Sequence, residues 1–584
     1  MNKILLFIAA LSLFQGINAK PRKYAISMFH YNLQYVAGDY KIENRIIKES
    51  FYPALKFFEK NPKYKVDFEI QGYAIEVLAE EYPEIFKLFK KLINRGQIEL
   101  VIAHYSDQFF IAYPALDLEK SIQISDKILA KYGMKRSKVF FAQEIQWTPA
   151  YASVLKNTHD LVVTSSDPHG YYRGKTLPLV NVKYGNDQIL GLIGAGEKKL
   201  KNIEWTYAFL DDGEVFNSLD YRSDFYRVPE QEAKSIAEYR RLQKEGFEFV
   251  TMSELATIIK NDPDYKIPDY QFVPEGTWNM SVCGPFMWMG RQRSGIETDG
   301  ITRSLSYEVR GKVLAAEALI NRAKTSGADV AEMEKWLNDA WKHLLLSEVS
   351  DASGWTPWLV EVQYTANEVV KVENLLGKIF IKLKENVLAD EKILLVNISD
   401  RKIEEAGNIP GLQLSDSYLP VQYSVRADSY NAKIKEVVPN LYRLDIEAFR
   451  PEDGAVEISF NTAKDGLQYS AGAGEDIAVK IPVDLKHDPA FTLSNGFIDL
   501  GTGYCLVKDC SVEHIAATWR QQEQKLVFRE ELNPKNPKMN MRFYVIKGDA
   551  RTALEFANRL NTRPSYFITF KNDKLIVKQQ IPVL

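Results

Sequence analysis

The chain is 584 residues long, and at roughly 100–200 residues per domain that length suggests about three domains. Hydrophobic residues make up 46% and charged residues 26%, which excludes a long disordered chain and a collagen-like fibre. With 74 Lys+Arg against 77 Asp+Glu the formal net charge is −3, so the basic excess of a nucleic-acid binder is missing.

Residues 1–19 read as a secretory signal, with Lys3 as the positive n-region, an apolar run from Ile4 to Phe14, and a small residue at Ala19 suited to cleavage. That run is too short to span a bilayer comfortably, and no later stretch reaches about 18 apolar residues. The expectation is an exported chain, periplasmic or secreted, with no membrane insertion after cleavage near Ala19. Cys283, Cys505 and Cys510 form neither a disulfide scaffold nor a thiolate zinc site. Whether Cys505 and Cys510 pair is left open by their spacing.

Residues 20–270 alternate short apolar runs with amphipathic ones. Strands are predicted at Tyr24–Tyr31, Lys65–Gln71, Ile98–Tyr105, Val139–Ile145 and Leu161–Ser165, with helices over 46–60, 73–94 (interrupted at Pro83) and 116–132 between them. Thr148 and Pro149 predict a capped helix start. Repeated β-then-α order argues for a parallel sheet, and this many units for a closed or nearly closed barrel. Residues 271–300 are irregular and aromatic, and helices follow at 303–325, 331–348 and 361–378, so 271–385 reads as an aromatic loop plus a helical domain. From 386 to 584, β-rich runs alternate with turn residues, as in an antiparallel β-sandwich accessory domain.

In a (β/α) barrel the active site lies at the C-terminal ends of the strands. The polar residues at those ends are His30, Asp107, Glu144 and the run Asp211-Asp212-Gly213-Glu214. Glu144 sits in the apolar stretch FFAQEIQW, where a carboxylate is either paired or functional, because an unpaired buried charge is costly. Asp212 reads either as an Asp-Gly turn or as an acid, with Asp211 and Glu214 competing for the role. His30 reads as a sugar contact or a hydrogen-bonded core residue, and His104 as a core residue. Trp147, Trp278, Trp288 and Trp355 are candidate stacking platforms, with core packing as the alternative for each. Two carboxylates on facing strand ends are the equipment of a glycosidase: in a retaining enzyme one attacks the anomeric carbon and the other protonates the leaving oxygen. The nucleophile should be ionised and the acid should have a raised pKa.

In these motifs the sequence resembles glycoside hydrolase family 57. Gly96-Gln97-Ile98-Glu99 is similar to the family's Gly-Gln-x-Glu region, Glu144 to its nucleophile, Asp212-Gly213-Glu214 to its Asp-Gly/Ala-Glu acid motif, and Asp351-Ala352-Ser353-Gly354-Trp355 to its Asp-then-Trp region. The first motif departs: His30-Tyr31-Asn32-Leu33-Gln34 keeps its first His alone, and Phe141-Ala142-Gln143 replaces the usual residues before the nucleophile. The resemblance implies an incomplete (β/α)7 barrel and retaining cleavage of α-linked oligo- or polysaccharide. It assigns catalysis to Glu144 and Asp212, and substrate binding to His30, Asp107, Asp351, Trp278 and Trp355. No metal or organic cofactor is expected, and the partner is a carbohydrate.

Rival chemistries lack their residues. No two histidines are spaced as the His-x3-His of nodulation-type deacetylases, and the His-x-Asp of family 38 mannosidases is His30-Tyr31-Asn32 here. No G-x-S-x-G elbow or phosphate-binding glycine loop occurs. A carbohydrate-binding protein on a catalytically dead barrel, a transglycosylase, and a deacetylase of the same superfamily remain as alternatives.

Overall fold

The computed structural model describes residues 20–583 apart from 35, 142, 195–197, 217–218, 221–225, 228, 271–272, 279–285, 291–298, 355–358, 387–391 and 573. The signal segment, Cys283 and Trp355 therefore lie outside the described residues. Apart from a short hairpin of Leu219–Asp220 with Tyr226–Arg227, nine strands are seen among the described residues of the N-terminal part: β1 (Arg22–Tyr31), β2 (Val66–Ile70), β3 (Ile98–Val101), β4 (Val139–Phe141), β5 (Leu161–Thr164), β6 (Leu179–Tyr184), β7 (Asp187–Ile193), β8 (Ile203–Asp212) and β9 (Glu248–Phe249).

All but the first two residues of β1 are buried, as expected of a parallel strand covered on both faces. One edge of β1 pairs with β8. The other pairs with β9 near Tyr24 and with β2 from Met28 to Tyr31, and β3 follows β2; all of these pairs are parallel. A second sheet runs β4-β5-β7-β6, parallel except for the β6–β7 hairpin. Helices cover both. Gly72–Glu81 and Pro83–Asn94 are separate helices, because proline fits a first turn but not a helix interior. The helix expected over 46–60 is real, but it opens with a π-helical turn, Ile46–Phe51, which carries Ser50 toward the Gly213 carbonyl at 2.8 Å.

Two expectations are corrected beside Glu144. The strand stops at Phe141, and Gln143–Ile145 is a tight turn. The helix after it starts at Tyr151 rather than at Pro149; the Thr148 hydroxyl accepts from the Ala150 N–H (3.2 Å) and donates outward to the Gly472 carbonyl (2.7 Å).

The helices Asp299–Thr325, Ala331–Ser347 and Leu359–Asn386 pack against one another. Beyond them lie three antiparallel sheets. Ile393–Asn397 and Ser565–Lys571 anchor a four-stranded sheet that shares a core with those helices and with β1 and β2. An eight-stranded and a five-stranded sheet bury a second core between them, Leu444, Phe543 and Val545 meeting Ile458, Phe460 and Phe528. That core also takes in Phe110, Trp147 and Tyr151 of the N-terminal part, so apolar packing runs straight across the boundary expected at 386. Cys505 and Cys510 are free, buried, and in different clusters.

Candidate active site

The parallel register builds the site. His30 lies opposite Asp212 of β8 on one side and opposite Glu69 of β2 on the other, so the three side chains share one face at the strand ends. The His30 Nδ1 bonds to the Glu69 carboxylate. Burial alone would lower the His30 pKa, but the charge and hydrogen bond of Glu69, then Asp107 and Asp212, raise it well above the usual histidine value. The neighbouring carboxylates therefore favour the protonated imidazole.

Behind it runs a chain of amides. Gln71, just past β2, donates through Nε2 to the Asp107 carboxylate and to Asn32 Oδ1 (3.0 Å). Asn32, just past β1, donates through Nδ2 to Asp351 Oδ2 at 2.7 Å, and its backbone N–H donates to Glu214 Oε1 at 3.0 Å. Asp107 and Glu214 are both buried, at 0% and 1% exposure. Their carboxylates bond within the site, Asp107 to Gln71 and Glu214 to the Asn32 backbone; Asp107, expected to contact substrate, is buried, as His30 is. Asp212 is half-buried on the face it shares with His30, with Asp211 more exposed beside it.

Glu144 stands at the tip of its turn with φ 55°, followed by Ile145 at φ 49°. Two consecutive left-handed non-glycine residues cost roughly 1–3 kcal/mol each and persist only where their surroundings over-determine them. Gln146 closes the turn from below, its Nε2 donating to the carbonyls of Gln143 and Gln108 at 2.9 Å each. From above, the Trp278 N–H donates to the Glu144 carbonyl at 2.9 Å, and the Trp278 indole N–H to the Glu144 carboxylate. Trp278 is 41% exposed, whereas Trp147 and Trp288 are core residues.

Asp351 sits on the turn Ser350–Ala352, which the buried Arg303 grips. Its guanidinium donates to the carbonyls of Glu348 (3.2 Å), Val349 (2.8 Å) and Ser350 (3.2 Å) and to Ser353 Oγ. Gln143 Nε2 lies between the carboxylates of Asp351 and Glu144, 3.4 Å from each.

Burial raises three carboxyls of the site, and neighbouring carboxylates add to it, Asp211 in the case of Asp212. Burial, then Asp351 and Asp212, push Glu144 up to about 8, while the Trp278 hydrogen bond pulls the other way. Burial pushes Asp351 up to about 7 and Asp212 up to about 6, each moderated by His30. His104 is a neutral core residue, lowered to about 3 by burial. Among the described residues, no group of three or more His, Cys, Asp or Glu is arranged to hold a metal ion.

The structure thus brings His30, Glu144, Asp212, Asp351 and Trp278 together. Sequence reasoning missed Glu69, Asn32, Gln71, Gln143 and Arg303. The first three stand at strand ends and carried the same signal as His30.

Residues 21–159 match the family model described as Glycosyl hydrolase family 57. The resemblance to family 57 holds over those residues. Among curated relatives, an α-amylase of Pyrococcus horikoshii is 29% identical over 128 residues, 22% of this chain and 20% of its own length. A 4-alpha-glucanotransferase of Thermococcus litoralis is 24% identical over 191 residues, 32% of this chain and 25% of its own length. The aligned segments thus span about a quarter or less of these two relatives. An alpha-mannosidase from Enterococcus faecalis V583 shares the fold, with a TM-score of 0.58 at 9% identity over 96% of this chain and 91% of that one. His30, Asp107 and Glu144 fall inside the family 57 segment; Asp212, Trp278 and Asp351 fall beyond it.

Proposed function

We propose that the protein is an exported enzyme that cleaves α-linked oligo- or polysaccharide by double displacement on an incomplete (β/α)7-type barrel. Glu144 attacks the anomeric carbon. Asp212 protonates the leaving oxygen and then activates water against the glycosyl–enzyme bond. His30 and Asp351 hold sugar hydroxyls, and the exposed Trp278 stacks on a ring. The observation that carries this reading is the meeting of the Glu144 and Asp212 carboxylates in one mouth, with the Trp278 indole directed at Glu144. The names of the relatives, α-amylase and 4-alpha-glucanotransferase, support α-glucan as the substrate. The second of those names favours a variant reading in which a sugar hydroxyl replaces water, a transglycosylase with the same residues.

In the free site burial raises both carboxyls, Glu144 to about 8 and Asp212 to about 6, so the pair shares its protons near neutral pH. The test is wild type against Glu144→Gln on a panel of α-glucans and aryl α-glycosides, with products and their anomeric form followed by NMR. Retention in the wild type and a loss of several orders of magnitude in a folded variant support the assignment. Full activity in Glu144→Gln, or inversion in the wild type, overturns it. Products longer than the substrate favour transfer over hydrolysis.

A further inference from the structure

The turn that carries Glu144 is held from outside the N-terminal sheets. Residues 276–278 run antiparallel to it: Trp147 N–H donates to the Gly276 carbonyl at 2.8 Å, Gly276 N–H returns to the Trp147 carbonyl at 3.1 Å, and Trp278 N–H reaches the Glu144 carbonyl. What fixes this short strand is its neighbour Glu275, which is 0% exposed. Its carboxylate accepts from the backbone N–H of Gly472 and of Thr492 (2.7 Å), and it shares the Thr492 hydroxyl with the Ile111 carbonyl, which lies 2.5 Å from that hydroxyl.

All three donors lie on loops of the C-terminal β-rich part. Those loops are themselves specialised: Ala473 and Leu493, one residue past each donor, have left-handed φ of 58° and 55°. Gly472 also leaves no room for a side chain, since a Cβ there would lie 2.9 Å from Ile111 and 3.0 Å from the Glu275 carboxyl. The Thr148 hydroxyl, on the far side of the Glu144 turn, bonds to the Gly472 carbonyl, so one loop braces both segments.

We infer that Glu275 and Thr492 are positioning residues for Glu144, and that the C-terminal β-rich part is a built-in wall of the active site rather than an appended module. The inference rests on the reading of Glu144 given above. A buried carboxylate with three donors fixes the Glu275 backbone. The antiparallel ladder transmits that fixity to Trp278, and Trp278 holds both the backbone and the carboxylate of the strained Glu144. Loss of one donor leaves part of a buried acceptor unpaired and lets the ladder shift, and a displacement of an ångström at a nucleophile costs orders of magnitude in rate.

The test uses the full chain with 5-fluorotryptophan incorporated, the Trp278 resonance being assigned from Trp278→Phe. Thr492→Val keeps the shape and removes the hydroxyl donor; Thr492→Ser restores it. In folded Thr492→Val the Trp278 fluorine resonance is expected to shift or broaden. The kcat on α-glucan is expected to fall about tenfold or more with KM within about twofold, and Thr492→Ser to recover both. A Trp278 resonance and a kcat both unchanged in folded Thr492→Val overturn the inference. If the wild type cleaves no α-glucan, the proposed function fails, and the resonance alone then decides the clamp, a shift supporting it and an unchanged line refuting it.

Discussion

The indole N–H of Trp278 donates to the carboxylate of Glu144 while the Trp278 backbone N–H donates to the Glu144 carbonyl at 2.9 Å. One residue therefore fixes both the position and the charge of another 134 places earlier in the chain. Hydrogen bonds to a carboxylate favour its ionised form, and this one opposes the upward push of burial and of Asp351. Trp278→Phe should lower kcat/KM by about tenfold and move the alkaline limb of the pH–rate profile up by about one unit. A profile unchanged in shape would show that the indole serves only as a sugar platform.

The wild-type pH dependence of kcat/KM should be a bell with apparent limbs near 6 and near 8, values that belong to the carboxyl cluster as a whole. Asp351 is the largest charge raising Glu144. Asp351→Asn should therefore shift the alkaline limb toward lower pH, opposite in direction to Trp278→Phe, besides lowering activity through lost substrate contact. Profiles of the two variants measured on one substrate check both signs.

Stability should run against alkaline pH. The folded carboxyls at about 8, 7 and 6 still hold protons that the unfolded chain, with ordinary values near 4, has released. Folding therefore takes up protons, and stability rises as pH falls from about 9 toward about 5, by up to about 1.4 kcal/mol per unit for each proton. His30 acts in the same direction: its raised pKa gives stability that is present in acid and lost as pH climbs through the folded value. Glu144→Gln should melt higher than wild type at pH 8–9, with the gap closing below about pH 6. Thermal scans across that range decide the matter, and a variant less stable than wild type at pH 9 would refute the charge repulsion.

Arg303 is fully buried and donates to three consecutive carbonyls at 348–350. Arg303→Met should orphan them and destabilise the protein by roughly 3–5 kcal/mol. Ser353→Ala, which removes one acceptor and a 2.8 Å bond to the Trp288 carbonyl, should cost about 1 kcal/mol. Denaturant unfolding of both variants measures the two values.

Much of this site was legible because strand ends are legible. His30, Glu144 and Asp212 each follow an apolar run, and the register of parallel strands does the rest. Asn32, Gln71 and Glu69 carried the same signal, but amides and a strand carboxylate drew no attention beside a histidine and an Asp-Gly pair. The depth of Asp107 was not legible, because position past a strand says nothing of burial. Arg303 and Glu275 had no local signal, since the partners of Glu275 lie 197 and 217 residues away. The turn at Glu144 was hidden as well, because FFAQEI has the composition of a strand and its left-handed backbone is imposed by Gln146 and Trp278.

The distance along the chain between Glu275 and Thr492 has a consequence during synthesis. A ribosome working at 5–20 residues per second reaches Thr492 roughly 10–40 s after Glu275. Through that interval the Trp278 segment lacks its wall and Glu144 lacks its restraint. Until its last third has emerged and docked, the growing polypeptide lacks the Glu275 hydrogen bonds, and the wall beside Glu144 forms late, as the product of a long-range closure.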